Sequence, residues 1–195
     1  MKRQILATIF IAVFFASNAF ALSDAYKENI YQVGKLKPVD SVLKVKVGQK
    51  VPDFTLKAVS GKNVSLKDYT GKKNVVLSFV PAAWTPVCSD QWPGYNIVQD
   101  LFEENNAVLI GITVDNIPTL YSWTNQMGKL WFEVLSDFWP HGAVASQYGI
   151  LRSDGTAERA IIIIDKKGMI RYIDVHDINE RPPLESIIRQ LEKLR

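Results

Sequence analysis

The chain contains a single cysteine, Cys88, at the end of FVPAAWTPVC (Phe79 to Cys88), where an apolar run gives way to a helical pattern. A lone thiol is either a small buried hydrophobe or a nucleophile, and its neighbours decide between the two. Thr85-Pro86-Val87-Cys88 has the form of a helix start, since threonine is a favoured N-cap and proline is favoured at the first helical position. Cys88 then falls in the first turn, where unpaired backbone N–H groups and the positive end of the helix dipole favour a thiolate, the nucleophilic form. A second charge is available at Arg159, directly before AIIIID. An arginine keeps its charge, and its planar fork can hold a thiolate and a substrate oxygen at once. Taken alone, Arg159 reads better as half of a surface ion pair with Glu158 or Asp154.

These residues need a frame. DFTLKAV and NVSL alternate and flank Ser60-Gly61-Lys62-Asn63, which predicts a hairpin. NVVLSFV (Asn74 to Val80) and AVLIGITVD (Ala107 to Asp115) are continuously apolar, as strands covered on both faces are. Between them Cys88, Trp92, Tyr95, Val98 and Phe102 recur at helical spacing. Pro93 cannot donate to the carbonyl of Ser89 and is expected to kink that helix. A helix from Pro118 to about Gln126, a strand in FEVLSD and a short helix in HGAVASQYG follow. AIIIID and MIRYIDV predict a hairpin, and Leu184 to Leu194 a final helix. Asp115 is expected to cap the helical region after it. Strands alternating with helices before a closing hairpin and helix predict an α/β fold, a central mixed β-sheet with helices on both faces. The thioredoxin-like fold is the simplest known arrangement with that order. In such sheets reactive groups gather where a buried strand ends and a helix begins, which is the place of Cys88.

The N-terminus reads separately. Lys2 and Arg3, the apolar run Ile5 to Ala16, and Ala19-Phe20-Ala21 form the basic, apolar and small-residue series of a secretory signal. The apolar run is short for a membrane span, so cleavage after Ala21 and export to the periplasm are expected, with an uncleaved anchor as the alternative. Residues 22–46 are charged and mixed, broken by Gly34 and Pro38, and predict an extension over the domain surface with one short helix around Asp24 to Val33. Residues 47–195 form the domain proper. In an oxidising compartment paired cysteines become structural disulfides, which a lone cysteine cannot do within its own chain. The formal net charge of +3 falls by two when Lys2 and Arg3 leave. No basic stripe interleaved with aromatics exists either, so a nucleic-acid partner is not expected.

Pro81-Ala82-Ala83-Trp84-Thr85-Pro86-Val87-Cys88 has the form P-x-x-x-T-x-x-C and resembles the signature of the peroxiredoxins. In that family an invariant arginine precedes a late strand ending in Ile-Asp, which is where Arg159 stands. LSDFWPHGAVASQYG (Leu135 to Gly149) resembles the one-cysteine, AhpE-like branch, and the likeness extends over about Val47 to Leu194. The resemblance implies a thiol-dependent peroxidase on the thioredoxin-like fold, acting on hydrogen peroxide and organic hydroperoxides. Cys88 would attack the terminal oxygen of a hydroperoxide and become a sulfenic acid. Thr85 would hydrogen-bond the peroxide, Arg159 would stabilise the thiolate and the charge developing along the O–O bond, and Pro81 would wall the pocket. Those roles suit a displacement that needs a deprotonated nucleophile, in-line positioning and stabilisation of the leaving oxygen. No metal or organic cofactor is implied. An external thiol reductant is implied, whether thioredoxin-like, glutaredoxin-like or of low molecular weight, together with a homodimer. Gln91 departs from the pattern, standing where many relatives carry glutamate.

Other conspicuous residues have plainer readings. Trp84 is balanced between the peroxide pocket and the core, and Trp92 reads as core. Trp139 and Pro140 read equally as a loop against a dimer partner and as packing within the chain. His141 and His176 read as ordinary surface or hydrogen-bonded histidines. An exported thiol–disulfide oxidoreductase would want Cys-x-x-Cys, but Thr85 holds the first of those positions, and Arg159 stands where such proteins carry proline. A non-catalytic thioredoxin-fold domain would need neither Thr85 nor Arg159. A copper chaperone would need a second cysteine.

Overall fold

The apolar runs become the middle of a seven-stranded sheet. In the computed structural model, which describes residues 23–195, a hairpin of β1 (Thr55–Ala58) and β2 (Asn63–Ser65) leads to β3 (Asn74–Phe79) and β4 (Ala107–Thr113). β5 (Glu133–Ser136), β6 (Ala160–Ile164) and β7 (Ile170–Val175) complete the order β2-β1-β5-β4-β3-β6-β7. β3, β4 and β5 are parallel, while β6 runs antiparallel to β3 and β7 to β6. The expected signal sequence and its cleavage site lie outside the described residues.

Alternation is invisible in the central strands because both faces are covered. Val75, Leu77 and Phe79 pack with Ile112, Ile162 and Tyr148 on one face. Val76 and Val80 pack with Ile161, Ile163, Trp92 and Trp123 on the other. Each such side chain contributes about 1.5–3 kcal/mol when fully buried, so the middle of the sheet is a stiff platform. Helices α1 (Asp24–Glu28), α2 (Pro86–Gly94), α3 (Gln99–Glu104), α4 (Ile117–Gln126), α5 (Ala143–Tyr148) and α6 (Leu184–Glu192) surround it. Residues of α2, α4 and α6 close the tryptophan-rich face, and residues of α5 close the other. None of these helices is long and apolar enough to cross a membrane.

Three elements differ from their sequence patterns. The helix expected through Cys88 and Phe102 is three pieces: α2 ends at Gly94, a 3-10 turn spans Tyr95–Val98, and α3 restarts at Gln99. Pro93 is the reason, since it removes the hydrogen bond that would carry the helix on. α1 stops at Glu28 instead of reaching about Val33, and the N–H of Tyr31 donates to Trp84 instead of to a helical carbonyl. Asn116, not Asp115, caps α4, its Oδ1 accepting from the N–H of Thr119 at 3.0 Å.

Residues 29–46 run over the domain as a strap. Leu36 and Asn179 exchange two hydrogen bonds of 2.9 Å, and the N–H of Lys44 donates to the carbonyl of Tyr148 at 3.0 Å. The strap passes so close to Gly149 (φ +76°) that a Cβ there would sit 2.3 Å from the carbonyl oxygen of Val42. Both the backbone angle and the space therefore require glycine.

Candidate active site

β3 ends at Phe79, and the chain turns through Pro81 into α2, which puts Cys88 in the first helical turn at the end of a central strand. Thr85 is the N-cap residue with extended backbone, but its side chain does not cap. Its hydroxyl donates to the carbonyl of Ala82 at 2.9 Å. That corrects the capping role. With its proton committed to Ala82, Thr85 Oγ1 offers lone pairs to the O–H of a peroxide.

Arg159 comes from the residue before β6 and is 1% exposed. Its Nε and Nη2 donate to the carbonyl of Ile178 at 3.1 and 3.0 Å, and its Nη1 donates to Gln91 Oε1 at 2.5 Å. Nη2 also donates to Cys88 Sγ at 3.5 Å. The surface ion pair that its sequence context suggested is not formed. Glu158 instead takes Arg152 in a buried pair of 2.6 Å, and Asp154 lies 3.8 Å from the same arginine. The acceptors facing Arg159 are therefore two neutral oxygens and the thiol.

Gln91 and Asp115 hold the site together through contacts that the sequence did not show. Gln91, fully buried, turns its Oε1 to Arg159 and donates through Nε2 to Ser78 Oγ and Tyr95 Oη, both at 3.1 Å. Burial pushes the Tyr95 phenol up, and hydrogen bonds with Ser78 and Gln91 pull it only partly back, so it stays protonated at neutral pH. Asp115 accepts from the N–H of Ala83 at 2.8 Å and from Thr113 Oγ1 at 2.5 Å, which ties the turn before Cys88 to the end of β4. The continuous apolar runs and the helical spacing gave no sign of either tie.

Trp84 sits in that turn with φ +61°, a left-handed conformation that costs a bulky residue about 1–3 kcal/mol. One contact from the strap and one from α1 offset it: Tyr31 N–H donates to the Trp84 carbonyl at 2.7 Å, and the Tyr26 ring lies 5.8 Å from the indole. A cavity of about 560 Å³ opens beside the turn, lined here by Pro81, Thr85, Val87 and Arg159. Trp84 is not among its lining residues and packs in the tryptophan-rich cluster instead. Cys88 is fully buried one layer behind, next to the guanidinium that does line the cavity. Trp92 is core, as its spacing suggested, and the Nδ1 of the part-exposed His176 lies 3.2 Å from an Asp174 carboxylate oxygen.

A guanidinium donating to a buried thiol, with a hydroxyl acceptor at the entrance, is equipment for displacing one oxygen from another. On this sheet it defines a thiol peroxidase of the thioredoxin-like class. The sequence model of the AhpC/TSA family matches residues 47–173. Alkyl hydroperoxide reductase E of Mycobacterium tuberculosis is 37% identical over 135 residues, 69% of this chain and 88% of that one. The chloroplastic 2-cysteine peroxiredoxin of Chattonella marina var. antiqua is 31% identical, over 78% of this chain and 82% of that one. The reduced 2-Cys peroxiredoxin of Plasmodium vivax matches the fold with a TM-score of 0.70 at 28% identity, covering 75% of this chain and 80% of that one. The chain belongs to the AhpC/TSA family and is a peroxiredoxin with one cysteine. The oxidoreductase, scaffold and chaperone readings give way to it.

Proposed function

We propose that Cys88 is the peroxidatic cysteine of a hydroperoxide reductase recycled by an external thiol. The Cys88 thiolate attacks the terminal oxygen of a hydroperoxide, the O–O bond breaks, and the leaving oxygen takes a proton to depart as water or an alcohol. Cys88 is left as a sulfenic acid. A reductant thiol then condenses with it, releasing water and forming a mixed disulfide, and a second thiol restores the Cys88 thiol. Arg159 holds the thiolate and the developing charge, Thr85 orients the peroxide O–H, and Pro81 walls the cavity. The contact of 3.5 Å between Arg159 Nη2 and Cys88 Sγ carries this reading. The single cysteine means that no second thiol of the same chain traps the sulfenic acid, so overoxidation by excess peroxide is its characteristic route of loss.

The N-terminal basic, apolar and small-residue series supports export and work in the periplasm. A homodimer is supported by Phe138 and Trp139, which are 46% and 70% exposed instead of packed within the chain. The catalytic assignment is tested by stopped-flow tryptophan fluorescence. Trp123 Nε1 donates to Ser89 Oγ at 3.1 Å, adjacent to the reacting residue, so oxidation at Cys88 reaches a reporter. Hydrogen peroxide is expected to change the emission of the native chain and to leave Cys88→Ser silent; an unaltered response in Cys88→Ser would remove Cys88 from the chemistry.

A further inference from the structure

We infer that residues 33–36 of the strap are the specificity-determining wall of the peroxide cavity, and that the cavity selects hydroperoxides bearing a compact, apolar, uncharged substituent over anionic ones. The inference rests on the peroxidase reading of Cys88 and goes on to say which peroxides reach it.

Size is the first ground. Hydrogen peroxide is little larger than a water molecule, whose share of liquid volume is about 30 Å³. The cavity of about 560 Å³ lies instead within the range of small organic ligands. Much of its surface is apolar: Val33 and Leu36 from the strap face the same space as Pro86, Val87 and Ile178. An alkyl or aryl group seated there leaves the hydroperoxide end toward Thr85 and Arg159.

The wall is a built part of the site. Leu36 N–H donates to Asn179 Oδ1 and Asn179 Nδ2 donates to the Leu36 carbonyl, each at 2.9 Å. The next residue back in the chain, Ile178, donates its N–H to the Pro38 carbonyl at 3.1 Å. The carbonyl of that same Ile178 accepts from Arg159 Nε and Nη2. One short segment therefore fixes the catalytic guanidinium on one side and the strap on the other. The strap also lies outside residues 47–173, the part matched by the family.

Charge is the second ground. Among the described residues, Asp154, Asp177 and Glu180 stand around the cavity against the ammonium of Lys35. Hydrogen bonds from the Asn179 backbone and side chain hold the Asp177 carboxyl below the usual carboxylate range, so it is ionised at neutral pH. Arg159 adds its charge only at the buried floor, beside the thiol. An anionic peroxide must cross a negative rim to reach it, whereas a neutral one crosses without penalty.

The test compares oxidation rates by stopped-flow fluorescence with hydrogen peroxide, cumene hydroperoxide and a fatty-acid hydroperoxide carrying a free carboxylate. Leu36 is only half-buried, so a larger side chain there leaves the core alone. Leu36→Trp is expected to lower the ratio of the cumene hydroperoxide rate to the hydrogen peroxide rate by about tenfold. If that variant reacts with neither peroxide, Val33→Trp, on the exposed part of the wall, decides by the same ratio. Glu180→Gln and Asp154→Asn are expected to raise the anionic rate relative to cumene hydroperoxide by about two- to threefold per charge removed, an advantage that fades as salt is added. Unchanged ratios in these variants overturn the inference while hydrogen peroxide still oxidises Cys88. A native chain that hydrogen peroxide does not oxidise would instead overturn the peroxidase reading beneath it.

Discussion

Arg159 shares its buried surroundings with a neutral amide, and that choice decides how much of its charge reaches Cys88. Gln91 Oε1 satisfies one guanidinium N–H without neutralising the group, so the thiol is the acceptor that gains most by ionising. Gln91→Glu is nearly isosteric and keeps the contact, but it sets a carboxylate against Arg159 in a fully buried position. The arginine then has a closer anion than the thiolate, and the carboxylate also repels it. Both effects disfavour the thiolate relative to the thiol. Oxidation by hydrogen peroxide in Gln91→Glu is expected to slow by about 3- to 10-fold at neutral pH. Stopped-flow rates of the variant and the native chain, with Gln91→Met as the neutral control, decide it. A Gln91→Glu rate equal to the native one would make Gln91 a packing residue.

α2 shows how one element's defect becomes another's anchor. Pro93 lacks an N–H, so the carbonyl of Ser89 has no helical partner, and the Tyr26 hydroxyl donates to it at 3.4 Å. Burial holds the Tyr26 phenol above its ordinary value, so it remains a donor at neutral pH. The ring meanwhile supports Trp84 in its left-handed turn. Tyr26→Phe removes only the hydrogen bond and is expected to cost about 0.5–1.5 kcal/mol in urea unfolding. Tyr26→Ala also empties a fully buried site, is expected to cost about 3–5 kcal/mol, and should shift Trp84 emission to the red as water enters. Equal losses would place the anchor in the hydroxyl alone. Such ties explain what the sequence could and could not show. The central strands were legible because complete burial makes them unbroken apolar runs, and Cys88 and Thr85 because a helix start is a local pattern. The buried partnership of Arg159 with Gln91 spans 68 positions, and that of Leu36 with Asn179 spans 143. Neither leaves a periodic trace, and Pro93 announced a kink without saying that Tyr26 would use it.

At the scale of the molecule, the strap lies over the cavity side of the domain, and among the described residues the turn after β5 keeps large apolar side chains exposed. Phe138 and Trp139 project from the turn between β5 and α5, with the His141 ring edge-on to the indole at 4.7 Å. Beside them lies a groove of about 350 Å³ bordered by Phe54, Leu56, Trp139, Pro140 and Val144. In the proposed homodimer, this exposed indole and the apolar groove beside it would form a two-fold contact, one copy's tryptophan meeting the partner's groove and the reverse. Aromatic side chains at the centre of such contacts dominate their energy. Trp139→Glu replaces that anchor with a charge and would bring two carboxylates toward apolar surface in a symmetric pair. It is expected to weaken self-association by at least about 30-fold, the equivalent of a loss near 2 kcal/mol. Sedimentation velocity across a concentration series measures it directly. A native chain that sediments as a monomer throughout that series would refute the dimer. A dimer indifferent to Trp139→Glu would move the interface to another face. Because Trp139 does not line the peroxide cavity, any fall in oxidation rate that tracks the monomer fraction would show that assembly steadies the site through the sheet.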